Sequence, residues 1–420
     1  MTEDHQPLEN NVPSQSSAQA EWYQRGKDLI KQELFEEALA VFEQTIRLTP
    51  TDALAYNGKG AALSGLGRYE EAFLAHEEAV HLDPASASAW YNKGHDLFEL
   101  ERYTEALMAY EQSIRLDPTH AETYNNRGSC LFQLGRYEEA LDAYEQSLRL
   151  EPTNFVAHYY RGIVLAELGK HQDALAAYEQ ALRLEPSSAE VHHNKGIALA
   201  ELERYKEALL AYEESLRLDP HDATTYYNKG NSLMELERYE DALRAYEQAL
   251  HLEPTYVIAY YNKGVALAKL DRYEEALLAY EESLRLDPHD ATTYYNKGNS
   301  LMELERYEDA LRAYEQTLHL DPTYAAAYSN RGYCLTELGR YEEALLAYEQ
   351  ALQLKPTDAT AHYNKGIALA TLGRYEEAIH AYDEVLRLEP NHRHAYEKKG
   401  EALLALYPHI PPRKMDREEK

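Results

Sequence analysis

Hydrophobic and small residues recur every three or four positions along two neighbouring stretches of residues 223–256. These positions are Tyr226, Gly230, Leu233, Ala242, Tyr246, Ala249 and Leu252. Because three to four residues make one helical turn, each stretch carries the apolar face of an amphipathic helix. The pattern predicts one helix over about 223–236 and a second over about 239–252. Pro254 cannot continue the second helix, so the pair ends there.

The same pattern returns every 34 residues. The repeated prolines are Pro50, Pro84, Pro118, Pro152, Pro186, Pro220, Pro254, Pro288, Pro322, Pro356 and Pro390. With proline at position 32 of each unit, eleven complete repeats run from 19–52 to 359–392, and a half repeat follows at 393–406. Glycine recurs at position 8 and alanine at position 20. A mid-helix glycine costs about 1 kcal/mol relative to alanine, so its recurrence predicts a close helix contact that a larger residue would block.

These positions resemble the tetratricopeptide repeat family, whose pattern is an aromatic residue at position 4, glycine at 8, leucine at 11, alanine at 20, an aromatic residue at 24 and proline at 32. The match covers about nine-tenths of the chain. Histidine replaces the aromatic residue at His158, His192 and His362, and at His76. The resemblance implies an all-α, right-handed superhelical solenoid of helix-turn-helix repeats. In such a solenoid the first helices line a concave groove, and stacked neighbours supply the stability.

Outside the eleven repeats of residues 19–392, the chain divides into three short segments. Residues 393–406 predict a polar capping helix, and residues 1–18 and 407–420 predict disordered tails. Residues 207–248 are identical to residues 275–316, which indicates a recent duplication of two repeats. Recurrence between those copies is therefore not independent support for a function.

Charge and composition exclude several classes of function. With 42 basic and 73 acidic residues the net charge is −31, which disfavours binding to nucleic acids and to anionic membranes. No stretch has the roughly 20 apolar residues of a membrane helix, and the first 18 residues lack the apolar core of a signal peptide. Cys130 and Cys334 are too few for a disulfide framework, which favours a reducing, cytoplasmic location.

Motifs for catalysis or metal binding are not expected to be functional here. Gly58-Lys59 is followed by Gly60, so it is not a phosphate-binding loop. His76 and His81 lie five residues apart, which is the wrong spacing for a shared metal, and we expect them on the surface. Cys130 and Cys334 occupy position 10 and are expected to be small core residues. The sequence thus predicts a protein that is not an enzyme and that holds no metal or cofactor.

Position 6 of the first helix flanks the side opposite to the apolar face, and it is asparagine in eight complete repeats. These residues are Asn92, Asn126, Asn194, Asn228, Asn262, Asn296, Asn330 and Asn364. Asparagine is a mediocre helix former, whereas its amide can both donate and accept hydrogen bonds to an extended peptide backbone. The row is similar to the asparagine ladder inside the superhelix of O-linked N-acetylglucosamine transferase. Gly58 and Tyr160 interrupt it. The alternative is that these amides are solvated or bond to neighbouring helices.

Two further rows accompany the asparagines. Position 5 carries Tyr91, Tyr159, Tyr227, Tyr261, Tyr295 and Tyr363, which could stack on a ligand or simply pack between adjacent helices. Position 13 carries Glu99, Glu167, Glu201, Glu235, Glu303 and Glu337, which favour basic partner segments or form a solvated charged surface. Together the rows predict a groove that is aromatic, amide-rich and acidic.

Position 7 is lysine or arginine in every repeat. The position lies beside the core face, so we expect the stem to cover apolar surface and the cation to reach a glutamate. The carboxylate clamp of the family, with lysine at position 5 and asparagine at 9, is disfavoured. Position 5 is never lysine here, and only Asn231 and Asn299 are asparagine at position 9.

The sequence as a whole favours a non-enzymatic scaffold that binds extended, basic or flexible segments of another protein in its groove. Two alternatives remain open at this point. One is a structural superhelix that assembles with further copies of itself, and the other is a regulatory or adaptor subunit of a separate enzyme.

Overall fold

A computed structural model of the protein describes residues 15–408, which are helical apart from short turns and contain no strand. The helices form two compact units, one up to Leu218 and one from Asp219. The first unit contains α1 (Gln15–Lys31), α2 (Phe35–Leu48), α3 (Ala53–Gly65), α4 (Tyr69–Leu82), α5 (Ala87–Glu99), α6 (Tyr103–Leu116), α7 (Ala121–Gln133), α8 (Tyr137–Leu150), α9 (Phe155–Glu167), α10 (His171–Leu184), α11 (Ala189–Glu201) and α12 (Tyr205–Leu218). The second contains α13 (Ala223–Glu235), α14 (Tyr239–Leu252), α15 (Val257–Lys269), α16 (Tyr273–Leu286), α17 (Ala291–Glu303), α18 (Tyr307–Leu320), α19 (Ala325–Glu337), α20 (Tyr341–Leu354), α21 (Ala359–Thr371), α22 (Tyr375–Leu388) and α23 (Arg393–Leu406).

Each repeat is a pair of helices, and its first helix carries an odd number. Within each unit, every helix packs against the next one along the chain, and each first helix also contacts the first helix of the following repeat. The helices predicted over 223–236 and 239–252 are α13 and α14, which end within one residue of those limits. The helical repeat pattern is therefore confirmed.

The ends of the helices follow from the residues at two repeat positions. Position 34 caps the next first helix: the Asp52 carboxylate accepts a hydrogen bond from the Ala55 amide at 3.1 Å, and the Asn154 side chain accepts one from Ala157 at 3.0 Å. Position 15 ends the first helix in the left-handed conformation, with φ of 72° at Gly67 and 58° at Glu101. Glycine adopts this conformation freely, whereas a glutamate there is strained and is retained by the surrounding helix pair.

The start of the first repeat differs from the sequence prediction. The predicted tail covers residues 1–18, whereas α1 already begins at Gln15. Residues 15–18 contain neither proline nor glycine, so nothing stops the helix from extending by one turn. Residues 1–14 and 409–420, where the remaining tail predictions fall, lie outside the described residues.

The core of each repeat is an aromatic ring laid on a glycine. The ring of Tyr314 at position 24 covers Gly298 at position 8, and a Cβ atom on Gly298 would lie 2.6 Å from that ring. Ala310 at position 20 is completely buried beside it. The predicted close approach at position 8 is confirmed, because a side chain there would displace a ring that is itself fully enclosed.

The cations at position 7 also behave as predicted. Nine of them reach back sixteen residues to an acid on the second helix of the preceding repeat, as in Lys59–Glu43 at 3.2 Å and Lys297–Glu281 at 2.9 Å. These pairs connect neighbouring repeats at the surface, so most position-7 cations between residues 15 and 408 are already paired with an acid.

Candidate peptide-binding site

The position-5 tyrosines lie half-buried on the first helices, against the position-24 tyrosine of the same repeat. The ring centroids are 6.3 Å apart for Tyr261 and Tyr280, and 5.9 Å apart for Tyr295 and Tyr314. Burial, with a smaller contribution from Glu190, raises the pKa of Tyr159 to about 12, so its hydroxyl is neutral at physiological pH. One side of each ring therefore packs on the core while part of the residue stays accessible.

The asparagine and tyrosine rows are joined by hydrogen bonds between consecutive repeats. In five places the Nδ2 atom of a position-6 asparagine donates to the hydroxyl of the position-5 tyrosine 35 residues earlier. The donor–acceptor distances are 3.1 Å for Asn126–Tyr91, 3.0 Å for Asn194–Tyr159, 3.3 Å for Asn262–Tyr227, 3.0 Å for Asn296–Tyr261 and 3.3 Å for Asn330–Tyr295. Hydrogen bonds thus join the two predicted rows within each unit, and we call the bonded residues the Asn–Tyr strip.

The remaining predicted members lie on the same helix positions with other neighbours. Asn92 donates to the side-chain oxygen of Asn57 at 3.0 Å. Position 5 is His193 before Asn228 and Ser329 before Asn364, so the tyrosine acceptor has no counterpart there. The Tyr363 ring instead lies 5.1 Å from His392. The row is interrupted at Gly58 because the Phe42 ring occupies the space where a side chain would project.

The side-chain carbonyl oxygens of the asparagines in the Asn–Tyr strip have no hydrogen-bond donor among the described residues. Within residues 15–408 the Oδ1 atoms of Asn126, Asn194, Asn262, Asn296 and Asn330 accept no hydrogen bond, and none of these atoms is sealed from solvent. The exposed surface of the strip therefore offers acceptors, and the position-13 glutamates beside it are all exposed to solvent. Such a surface suits a ligand that donates hydrogen bonds.

The alternative that these amides bond to neighbouring helices describes these five asparagines, but sequence reasoning did not identify tyrosine as their partner. The signal was present, because a tyrosine at position 5 is followed 35 residues later by an asparagine in five of its occurrences. It also missed the role of position 9: the carbonyl oxygen of Asn299 accepts hydrogen bonds from Tyr314 at 2.8 Å and from Asn330 at 2.9 Å. Asn231 serves Tyr246 and Asn262 in the same way. The position-9 asparagines thus anchor the strip to the core.

Both cysteines are core residues, as predicted. Cys130 and Cys334 have no solvent-exposed surface, and burial raises the pKa of each thiol to about 12. A thiol that is neutral and enclosed is neither a nucleophile nor a metal ligand.

The prediction that His76 lies on the surface is wrong. His76 is 1% exposed because it takes the position-24 place of the aromatic ring, above Gly60. Its Nδ1 atom lies 2.5 Å from the carboxylate of Asp96, which also accepts a hydrogen bond from Ser64 at 2.5 Å. Asp96 is completely buried, so this cluster has no access for a substrate and is a structural polar contact between two repeats.

Metal-binding clusters and membrane-spanning helices are two further features that would indicate other functions. In the part of the chain from 15 to 408, no three or more His, Cys, Asp or Glu side chains are arranged to hold a metal ion. None of the helices in that range is both long and apolar enough to cross a bilayer.

Comparison with solved structures returns repeat proteins at low similarity. The crystal structure of YrrB, described as a TPR protein with an unusual peptide-binding site, is 28% identical, with 45% of this chain and 98% of that chain covered and a TM-score of 0.41. MamA of Desulfovibrio magneticus RS-1 is 27% identical over 40% of this chain and 95% of that chain, with a TM-score of 0.39. The Cut9–Hcn1 hetero-tetramer of the APC/C is 16% identical over 93% and 97%, with a TM-score of 0.45. A search of curated proteins finds no match.

Family models identify the repeat itself. One tetratricopeptide repeat model matches residues 23–87, 159–223, 227–291 and 295–359. Two further models of the same repeat match residues 85–151 and 359–392. The first model alone covers more than half of the sequence, and the chain belongs to the tetratricopeptide repeat family.

Proposed function

We propose that this protein is a non-enzymatic scaffold that binds an extended, basic segment of a partner protein along the Asn–Tyr strip, in the groove of its first helices. The observation that carries the proposal is the row of asparagine carbonyl oxygens left unpaired by the Asn–Tyr bonds. Tetratricopeptide repeats are in general non-catalytic interaction scaffolds, which agrees with this reading.

The hydrogen-bonding chemistry of the strip favours a peptide as the ligand. A backbone in extended conformation presents amide N–H groups at regular spacing, and each can donate to a carbonyl oxygen without regard to sequence. Because the tyrosine hydroxyls hold the asparagine amides in one orientation, the acceptors are fixed before the ligand arrives. Such preorganisation reduces the entropy that binding costs.

The charge of the protein favours a basic segment. The exposed glutamates at position 13 lie along the same helices, and the whole chain carries a net charge of −31. Lysine and arginine side chains are also pure hydrogen-bond donors, which matches the acceptors of the strip. Electrostatic attraction of this kind raises the association rate and weakens with salt.

Two paired variants separate ligand binding from the internal bonds of the strip. Asn262→Ala with Asn296→Ala removes two acceptors together with their bonds to Tyr227 and Tyr261, and also the bond from Asn262 to Asn231. Tyr227→Phe with Tyr261→Phe removes the two bonds to the tyrosine hydroxyls but keeps both amides. We expect the asparagine variant to bind a lysine-rich peptide more weakly, by about 1 kcal/mol per lost contact. The phenylalanine variant keeps both acceptors but no longer holds them in one orientation, so we expect it to lose less affinity than the asparagine variant.

The measurement is fluorescence anisotropy with a labelled glycine–serine–lysine peptide of about sixteen residues, which spans roughly 50 Å when extended. A matched peptide with glutamate in place of lysine is not expected to bind. Affinity for the lysine peptide should fall as ionic strength rises past about 0.15 M, where the screening length is about 8 Å. Equal binding of the two peptides, or equal affinity of the asparagine variant and wild type, would rule out the proposal.

A further inference from the structure

Two tyrosines stand where most repeats place a helix-capping residue. Position 34 precedes each first helix, and its side chain commonly accepts a hydrogen bond from that helix, as Asp290 does from the Thr292 amide at 2.9 Å. The side chains of Tyr256 and Tyr324 accept no such bond from α15 and α19. Because a helix without a cap is less stable, these two tyrosines point to a role other than capping.

Each of these tyrosines lies against a ring of the Asn–Tyr strip. The ring centroids are 5.0 Å apart for Tyr256 and Tyr227, and 4.8 Å apart for Tyr324 and Tyr295. Tyr295 also packs on the fully buried Tyr314, so a row of three rings runs from the core to the surface. Tyr256 and Tyr324 are only partly buried. The outer ring of each pair is therefore accessible beside the strip.

Carboxylates alternate with these rings along the second unit. From one repeat to the next, position 34 is Asp222, Tyr256, Asp290, Tyr324, Asp358 and His392. Burial and neighbouring tyrosines raise the pKa of Tyr324, and the carboxylates of Asp290 and Asp321 add to the increase, so both acids lie within electrostatic range of the ring. Asp222 and Glu253 are the corresponding acids beside Tyr256. The rings are thus accompanied by negative charge at both places.

The acids beside Tyr324 keep part of their capacity to accept hydrogen bonds. Asp290 accepts two, from the Thr292 amide and the Thr293 hydroxyl. Asp321 also accepts two, both from Thr323. Since an ionised carboxylate has about four acceptor sites, each can bind a further donor.

The local charge selects a cation as the ligand. The start of an uncapped helix ordinarily favours an anion. Residues 286–296 and 318–330, however, contain no lysine or arginine, and the two carboxylates place negative charge at the same point. An anion there would be repelled, whereas a cation is attracted both by the acids and by the faces of the rings.

We propose that the pairs Tyr295–Tyr324 and Tyr227–Tyr256, with the carboxylates beside them, bind arginine side chains of the partner segment, and we call them the arginine sites. A guanidinium group is planar, so it stacks on a ring while its N–H groups at the edge donate to a carboxylate. The ammonium group of lysine is a compact charge with no plane to stack. The inference rests on peptide binding along the Asn–Tyr strip and adds to it a preference for arginine over lysine.

The preference is measured with two labelled peptides that differ only in their cations. One is the glycine–serine–lysine peptide described above, and the other carries arginine at every lysine position. In fluorescence anisotropy with the full chain, we expect the arginine peptide to bind at least about threefold more tightly. A third peptide with citrulline, which keeps the planar group but lacks the charge, should bind more weakly than either.

Two double variants assign the preference to the rings. Tyr256→Ser with Tyr324→Ser removes both outer rings and should abolish the difference between the arginine and lysine peptides. Serine occupies the same position at Ser188, where it accepts a hydrogen bond from Val191, so the variant gains caps and is expected to stay folded by circular dichroism. Tyr256→Phe with Tyr324→Phe is the matched control and should keep the preference, because a phenyl face also attracts a cation.

The outcomes separate this proposal from the proposed function. If neither the lysine nor the arginine peptide binds, peptide binding along the strip is wrong, and the arginine sites are refuted with it. If the wild-type protein binds both peptides equally tightly, or if the serine variant keeps the preference for arginine, the arginine sites are wrong while binding along the strip stands.

Discussion

Replacing Asp96 by alanine is expected to lower the free energy of unfolding by about 1–3 kcal/mol, the range for leaving a buried hydrogen-bonding group without its partner. The carboxylate lies against both the Nδ1 atom of His76 and the hydroxyl of Ser64. Without it, the buried imidazole keeps only the Asn57 carbonyl oxygen at its other ring nitrogen, 3.2 Å away, and its Nδ1 atom is left without a partner in an enclosed place. Chemical denaturation followed by circular dichroism measures the change.

A double variant provides the control for this effect. Other junctions between repeats place tyrosine and alanine at the two positions, as Tyr246 and Ala266 do, and both of these are fully buried. His76→Tyr combined with Asp96→Ala recreates that pair above Gly60, which leaves the same space for a ring. The double variant should recover most of the stability that Asp96→Ala loses. If it is as unstable as the single variant, the polar contact between His76 and Asp96 is not what stabilises this junction.

Tyr314→Ala is expected to cost about 3–5 kcal/mol, because it empties the space between α17 and α18 that the buried ring fills. Tyr314→Phe keeps the ring on Gly298 and removes only the hydroxyl, which donates to Asn299 at 2.8 Å. The expected cost of the phenylalanine variant is therefore about 1 kcal/mol.

The part of the chain that Tyr314→Ala destabilises distinguishes a repeat array from a single globular core. Each repeat contacts mainly its neighbours, so hydrogen exchange in Tyr314→Ala should accelerate in α17, α18 and α19 before it does in α22. Hydrogen exchange that accelerates uniformly over the whole second unit would contradict the role of the ring-on-glycine contact as the main packing unit. So would a decrease of less than about 1 kcal/mol in the free energy of unfolding.

The fold was predictable because the same constraint recurs in every repeat. The spacing of Gly298 and Tyr314 is meaningful only when two helices approach closely, and its repetition every 34 residues identifies the helix pair. The turn at position 15 is harder to predict, because glutamate in five repeats and aspartate in one take the left-handed conformation where glycine would be the usual choice. There the packing of the two helices determines the backbone, and local propensity does not.

The candidate site was predictable only in part. The positions of Asn296 and Tyr261 on one surface follow from helical periodicity, but the bond between them joins different repeats, and periodicity within one helix does not reveal it. His76 was misplaced for a related reason. Its spacing from His81 was read as a local pattern, whereas its burial follows from its repeat position and from Asp96 in the next repeat.

The most direct test of peptide binding along the Asn–Tyr strip is covalent mapping of the bound lysine-rich peptide. A photoreactive residue at its centre is cross-linked to the full chain, and mass spectrometry locates the adducts. Binding along the strip places the adducts on first helices of the second unit, around Tyr261 and Tyr295. Leu278 and Leu346 on the second helices are 65% and 64% exposed and offer a competing apolar surface. Adducts concentrated there, or on α23, would contradict the proposed site.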